Sequence, residues 1–220
     1  MKFDVLTLFP EMFDVLKQSI IGKAQEKELI DINLINIRDF SNDKHKKVDD
    51  TPYGGGAGMV LTCQPIFDCI NSIKTPDSKV IMLTPDGIPY KQTQAYNLSK
   101  EKHLILLCGH YEGFDERIRS IVDLEVSIGD YVLTGGEIPA LVLVDSIVRL
   151  IPGVIEEKSH IEDSFNDNLL DYPTYTKPRV YKEMEVPDVL LSGDHKKIDE
   201  FRQKMRYNRT KERRPDLLEK

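Results

Sequence analysis

His103-Leu-Ile-Leu-Leu-Cys-Gly-His-Tyr-Glu-Gly-Phe-Asp-Glu-Arg117 decides the fold class. From Leu104 to Cys108 every side chain is apolar, without the alternation of a strand that shows one face to water, so the run predicts a strand covered on both faces. Glycines then bracket a short polar loop before a helical pattern resumes. Working outward, apolar runs at Lys2–Phe9, Ile30–Ile37, Lys79–Leu83 and Val122–Ile128 predict further strands. The spacing of apolar residues predicts helices over Pro10–Lys27, Pro65–Lys74, Lys91–Lys100 and Ile138–Ile151. Strand and helix in alternation make an α/β domain with a mostly parallel sheet.

Ligands of such sheets bind outside the carboxyl ends of the strands. The loop after Cys108 holds Glu112 between Gly109 and Gly113. His110 and Glu112 could start a metal site but lack a third ligand; otherwise His110 is a loop histidine, and Glu112 or Asp115 caps the next helix. A second glycine-bracketed stretch, Ser127-Ile-Gly-Asp-Tyr-Val-Leu-Thr-Gly-Gly-Glu137, and a Pro-Asp-Gly turn in Leu83-Thr-Pro-Asp-Gly87 reach the same edge, which suggests one pocket. Thr51-Pro-Tyr-Gly-Gly-Gly-Ala-Gly-Met59 is either a flexible hinge or a loop that lets a base or phosphate approach closely. It is no P-loop, and the dinucleotide-binding glycine pattern is absent. On the apolar helix, Asp145 and Arg149 stand four residues apart, as an ion pair would, or leave a cation facing something that needs it.

Composition changes after Pro152, where Gly153 to Asp171 includes Glu156, Glu157, Lys158, Glu162, Asp163, Asn166, Asp167 and Asn168. The expected organisation is a first domain over residues 1–157, a flexible connection over 158–170, and a small helical unit over 171–220 with a charged helix from His195 to Arg214. With 37 acidic against 30 basic residues the chain carries −7, which by itself argues against a nucleic-acid partner. The average conceals a division. Residues 171–220 hold 13 Lys and Arg against 10 Asp and Glu, leaving 17 against 27 before them, so the parts carry +3 and −10. Arg202, Lys204, Arg206, Arg209, Lys211, Arg213 and Arg214 form either a solvated face or a phosphate-neutralising one, and Lys44, Lys46 and Lys47 add a local basic site. Three cysteines without a CxxC pair, no secretory pattern and no apolar run long enough to span a bilayer make a cytoplasmic protein the expectation.

Together these segments resemble the bacterial tRNA (guanine-N1)-methyltransferases of the SPOUT class. The likeness is carried by Leu8-Phe-Pro-Glu-Met-Phe13, Val48-Asp-Asp50 with Pro52-Tyr-Gly-Gly-Gly56, Cys108-Gly109 with Tyr111-Glu-Gly113, Ser127-Ile-Gly-Asp-Tyr-Val-Leu133, Asp163-Ser-Phe165 and Val189-Leu-Leu-Ser-Gly193. What it implies is a trefoil-knotted parallel α/β sheet with helices on both faces, a small all-helical C-terminal domain, and a homodimer with its active site at the subunit interface. It also implies methyl transfer from S-adenosylmethionine to N1 of the guanosine immediately 3′ of the tRNA anticodon, which supports reading-frame maintenance. Cofactor contacts carried over are Leu83, Thr84, Pro85, Gly109, Tyr111, Gly113, Ser127, Ile128, Gly129, Tyr131, Leu133, Gly135, Gly136 and Pro139. Asp163 is implied as the general base, Arg149 as the active-site cation, and Glu112 as an acidic residue associated with Mg²⁺. Asp50, or Asp49, with Tyr53, Gly54, Gly55 and Gly56 would hold the target base. His110 stands where some members carry arginine. The rival readings are another SPOUT enzyme acting on ribosomal RNA or a ribose hydroxyl, and a non-catalytic RNA-binding module.

Overall fold

A computed structural model of the protein describes residues 1–156 and 163–219. The chain forms two compact units, Met1–Ile155 and Glu156–Lys220. In the first, strands β1 (Lys2–Thr7), β2 (Asp31–Asn36), β5 (Ser78–Pro89), β6 (His103–Cys108) and β7 (Leu124–Ser127) make one sheet in the order β2-β1-β6-β5-β7, all neighbours parallel. Two-residue strands β3 (Asp49–Asp50) and β4 (Val60–Leu61) pair separately as an antiparallel ribbon.

The unbroken apolar run of β6 is explained by the two cores it separates. Leu104, Leu106 and Cys108, with Phe3, Val5, Ile81 and Leu83, face helices α1 (Ser19–Glu26), α3 (Gln92–Leu98) and α4 (Glu137–Val148). Ile105 and Leu107, with Leu6, Val80 and Met82, face α2 (Cys63–Ile73) and the 3₁₀ turns at Ile37–Phe40 and Glu116–Ile121. At the amino edge of the sheet the buried Asp4 carboxylate is hydrogen-bonded to His103 Nε2 at 2.8 Å, Lys2 Nζ at 2.8 Å and Asn33 Nδ2 at 3.0 Å, which pins β1 to both neighbours.

Two expected elements differ. Pro10–Lys27 is a 3₁₀ segment, Pro10–Lys17, and then α1, separated by an extended Gln18 and by Ser19 at φ 55°. The buried residues are Phe13 and Leu16 before the break, Ile21 and Ala24 after it. Along one continuous helix Ile21 and Ala24 would centre about 80° round from Phe13 and Leu16, and across the break all four pack into the same core. The strand expected to end at Leu83 continues to Pro89, with a register shift between Leu83 and Ile88 that loops Thr84–Gly87 out of the ladder.

The second unit is built on α5 (His195–Arg213), capped by the Asp194 side chain, which accepts from Lys197 N at 3.2 Å. A short hairpin of β8 (Val180–Tyr181) and β9 (Met184–Glu185) adds strand structure to a unit expected to be wholly helical. Of the expected connection, residues 158–162 lie outside the described residues, as does Glu157, and so do the calls made there on Lys158 and Glu162. The rest folds onto α5: Leu170 N donates to Thr210 Oγ1 at 2.8 Å, and the buried Arg206 grips both oxygens of Asp167 at 2.6 and 2.8 Å. Among the described residues no helix is long and apolar enough to cross a membrane.

Candidate active site

Leu83 lies opposite Cys108 on one side and Val126 on the other, so β5, β6 and β7 end side by side. Their loops enclose a cavity of about 490 Å³. All fourteen residues carried over as cofactor contacts line it, and so does Glu112. The walls are the Thr84–Gly87 loop-out, the Gly109–Phe114 loop, and the stretch from Ser127 to Pro139 at the start of α4. Gly136 N donates to Gly109 O at 2.8 Å and His110 bridges Gly135, so the second and third loops are joined by backbone.

Glu137, in the first turn of α4, is buried and accepts from Thr7 Oγ1 at 2.8 Å. Burial, with Glu137 nearby, holds the Cys108 thiol well above its ordinary range, so it is a core side chain and no nucleophile. His110 is held between the rings of Phe9 and Tyr111, at 4.9 and 4.7 Å, and its buried Nδ1 has no hydrogen-bond partner. At the outer rim the Arg117 guanidinium holds the Asp115 carboxyl far below the usual carboxylate range, while Asp115 caps the turn that follows.

The glycine-rich loop stands beside the cavity without lining it. Glu112 N donates to Met59 O at 3.0 Å and Leu61 N to Gly113 O at 2.9 Å, which stitches the end of that loop to the cavity wall. Tyr53 is fully exposed, and no atom lies within 4 Å of where side chains at Gly54 and Gly55 would stand. Asp50 accepts from Thr51 N at 2.9 Å and pairs with Lys47 at 3.3 Å, and these contacts lower its pKa. Arg149 closes α4 as its C-cap residue and is not among the lining residues; Asp163 belongs to the second unit. The sequence reading missed Asp86, Glu116 and Arg119 as lining residues. Asp86 could have been found, because it sits in the Pro-Asp-Gly turn after a strand; Arg119, beyond the loop on a 3₁₀ turn, carried no signal.

Among the described residues no group of three His, Cys, Asp or Glu side chains could hold a metal ion. A nucleoside-sized cavity at the carboxyl edge of a parallel sheet, walled by glycine-rich backbone, therefore defines this site. Residues 1–220 match the family tRNA (Guanine-1)-methyltransferase TrmD. The chain belongs to that family. It is 58% identical over 221 residues to a tRNA (guanine-N(1)-)-methyltransferase of Macrococcus caseolyticus, covering 100% of this chain and 92% of the relative. The enzyme of the same name from Bacillus pumilus is 56% identical, with 100% and 92% covered. That of Endomicrobium trichonymphae is 56% identical, with 100% of both chains covered. Membership in this methyltransferase family implies S-adenosylmethionine as the methyl donor.

Proposed function

We propose that the protein methylates N1 of the guanosine immediately 3′ of the tRNA anticodon, taking the methyl group from S-adenosylmethionine. The observation that carries this reading is the cavity of about 490 Å³ whose walls are the cofactor residues of the family pattern. Its volume lies in the ~300–1,000 Å³ range of small-molecule sites. Gly109, Gly129, Gly135 and Gly136 let the cavity loops pack tightly on Phe114, Tyr131, Glu137 and Cys108, and only Gly113 has open space where a side chain would stand.

The bound donor supplies an electrophilic methyl group on a sulfonium, with a neutral thioether as leaving group. Guanine N1 carries a proton and is a poor nucleophile, so the new N–C bond needs a base to take that proton as it forms; Asp163 has this role. Negative charge then gathers on O6 of the base, and Arg149 is the cation assigned to hold it. The exposed Tyr53 beside Gly54, Gly55 and Gly56 offers a ring on which an unstacked base can lie, with Asp50 at the loop's start. Mg²⁺ takes about six oxygens, and the cavity's carboxylates Asp86, Glu112 and Glu116 do not gather into a group that could hold it. The described residues build no cage for it.

Homodimer formation belongs to the same reading. It is supported by exposed Ile138 and Val142 on α4 and by exposed Met12 and Val15 on the 3₁₀ segment packed beside it. Transfer of labelled methyl to an unmodified tRNA transcript with guanosine 3′ of the anticodon, and none to a transcript with another base there, is the expected result. Equal label in both would defeat the position. In the same assay Asp163→Asn should lower the single-turnover rate by about 100-fold or more, and an unchanged rate would remove Asp163 as the base.

A further inference from the structure

The Thr84–Gly87 wall of the cavity has almost no ladder of its own. The β5 register with β7 breaks between Leu83 and Ile88, and inside the loop-out Asp86 N makes a hydrogen bond to Thr84 Oγ1 at 3.4 Å. On the sheet side the wall is seated hard against β7, because a Cβ on Gly87 would stand 2.4 Å from Val126 N. On the other side stands Arg119. Its guanidinium uses every edge: Nη2 donates to Asp86 Oδ2 at 2.6 Å, Nε to Glu116 Oε2 at 3.0 Å, and Nη1 to Glu125 Oε2. Those three carboxylates belong to the loop-out, to the 3₁₀ turn Glu116–Ile121, and to β7.

From this geometry we infer that Arg119 is a positioning residue for donor binding, clamping the Thr84–Gly87 wall through Asp86. The inference rests on the reading of the cavity as the donor's site. Asp86 and Arg119 both line that cavity, so a shift of one element against the other moves its wall. Electrostatics gives the clamp its direction. Without the guanidinium, Asp86, Glu116 and Glu125 would be left as neighbouring like charges that push the wall outward. Asp86 is 66% exposed, so its pair with Arg119 contributes little to global stability. It acts on local geometry instead, where a displacement of about 1 Å can cost as much as 100-fold in a reaction that depends on positioning.

The test is calorimetric binding of S-adenosylmethionine to the whole protein, alongside steady-state kinetics and thermal melting. Asp86→Asn and Arg119→Gln should each weaken donor binding and raise its KM about tenfold, with kcat at saturating donor within about twofold of wild type. Because the two residues act through one contact, the double variant should be no worse than Arg119→Gln alone. Arg119→Lys should regain part of the affinity, and Asp86→Asn should melt with the wild type. Arg117→Gln, which breaks a guanidinium–carboxylate pair with Asp115 on the same turn but outside the cavity lining, should bind the donor normally. Wild-type affinity in Asp86→Asn, multiplicative losses in the double variant, or losses that follow the melting temperature would each overturn the clamp. If the wild type itself takes up no S-adenosylmethionine, the functional reading falls and takes the clamp with it; normal uptake by wild type and both variants sinks the clamp alone.

Discussion

Gly135 occupies a point where three polar groups converge. A Cβ there would stand 2.3 Å from Glu137 Oε2, 2.9 Å from His110 Nδ1 and 3.3 Å from Gly109 O. None of the three can yield freely, since Glu137 is held by Thr7, His110 is wedged between two rings, and Gly109 accepts from Gly136. Gly135→Ala should therefore push the third loop out of the cavity, weakening donor binding by about tenfold or more and costing about 1–3 kcal/mol from overpacking. Calorimetry and thermal melting read the two effects, and normal binding in the alanine variant would show that the crowding is absorbed elsewhere. The glycine was visible in the sequence as one of a pair before an apolar helix. Its physical cause was not visible. The convergence joins residues from β1, the β6 loop and α4, which sequence spacing cannot relate.

At the scale of elements, α5 shows how a run of charge divides between structure and surface. Seven cations from Arg202 to Arg214 read as either a solvated face or a face for phosphates. Arg206 is instead buried against Asp167, Arg209 donates to Asp171 O at 3.1 Å, Arg202 stacks on Tyr172 at 4.8 Å, and Arg214 pairs with Asp216 at 2.7 Å. Lys204, Lys211 and Arg213 are exposed, beside the exposed Tyr207. Arg206→Ala should cost about 2–3 kcal/mol, discounted because Asp167 is half exposed, and should unfold the second unit at lower denaturant. Lys204→Glu with Lys211→Glu should leave melting unchanged and weaken tRNA binding, with a shallower salt dependence. The opposite assignment, melting lost with the lysines and binding lost with Arg206, would reverse the division. The helix and its charge were legible because periodicity and composition are local. Which cations turn inward was not, because it depends on a segment, 163–171, that the sequence presents as a polar connection. The strands were legible for the same local reason, whereas the break at Gln18–Ser19 and the loop-out at Thr84–Gly87 answer to the core and to β7.

For the whole molecule the unresolved term is an apolar surface. Helix α4 buries Ala140, Leu143, Val144, Ile147 and Val148 on one side and exposes Ile138 and Val142 on the other. The adjoining 3₁₀ segment and α1 expose Met12, Val15 and Ile20. A chain rarely leaves such residues together in water unless something covers them. A second copy is the economical cover, since a two-fold axis through α4 would match each apolar residue with the same kind. The proposed placement of the active site at that interface makes association a condition of chemistry and not only of stability. Val142→Glu puts a charge among the exposed apolar residues without touching the buried side of the helix. Its expected outcome is a folded monomer in sedimentation, with methyl transfer to tRNA down by about 100-fold or more. Salt separates this contact from the RNA contact: an apolar interface should hold as salt rises, while tRNA binding weakens steeply. Full activity in a monomeric Val142→Glu protein would place every catalytic group within one chain.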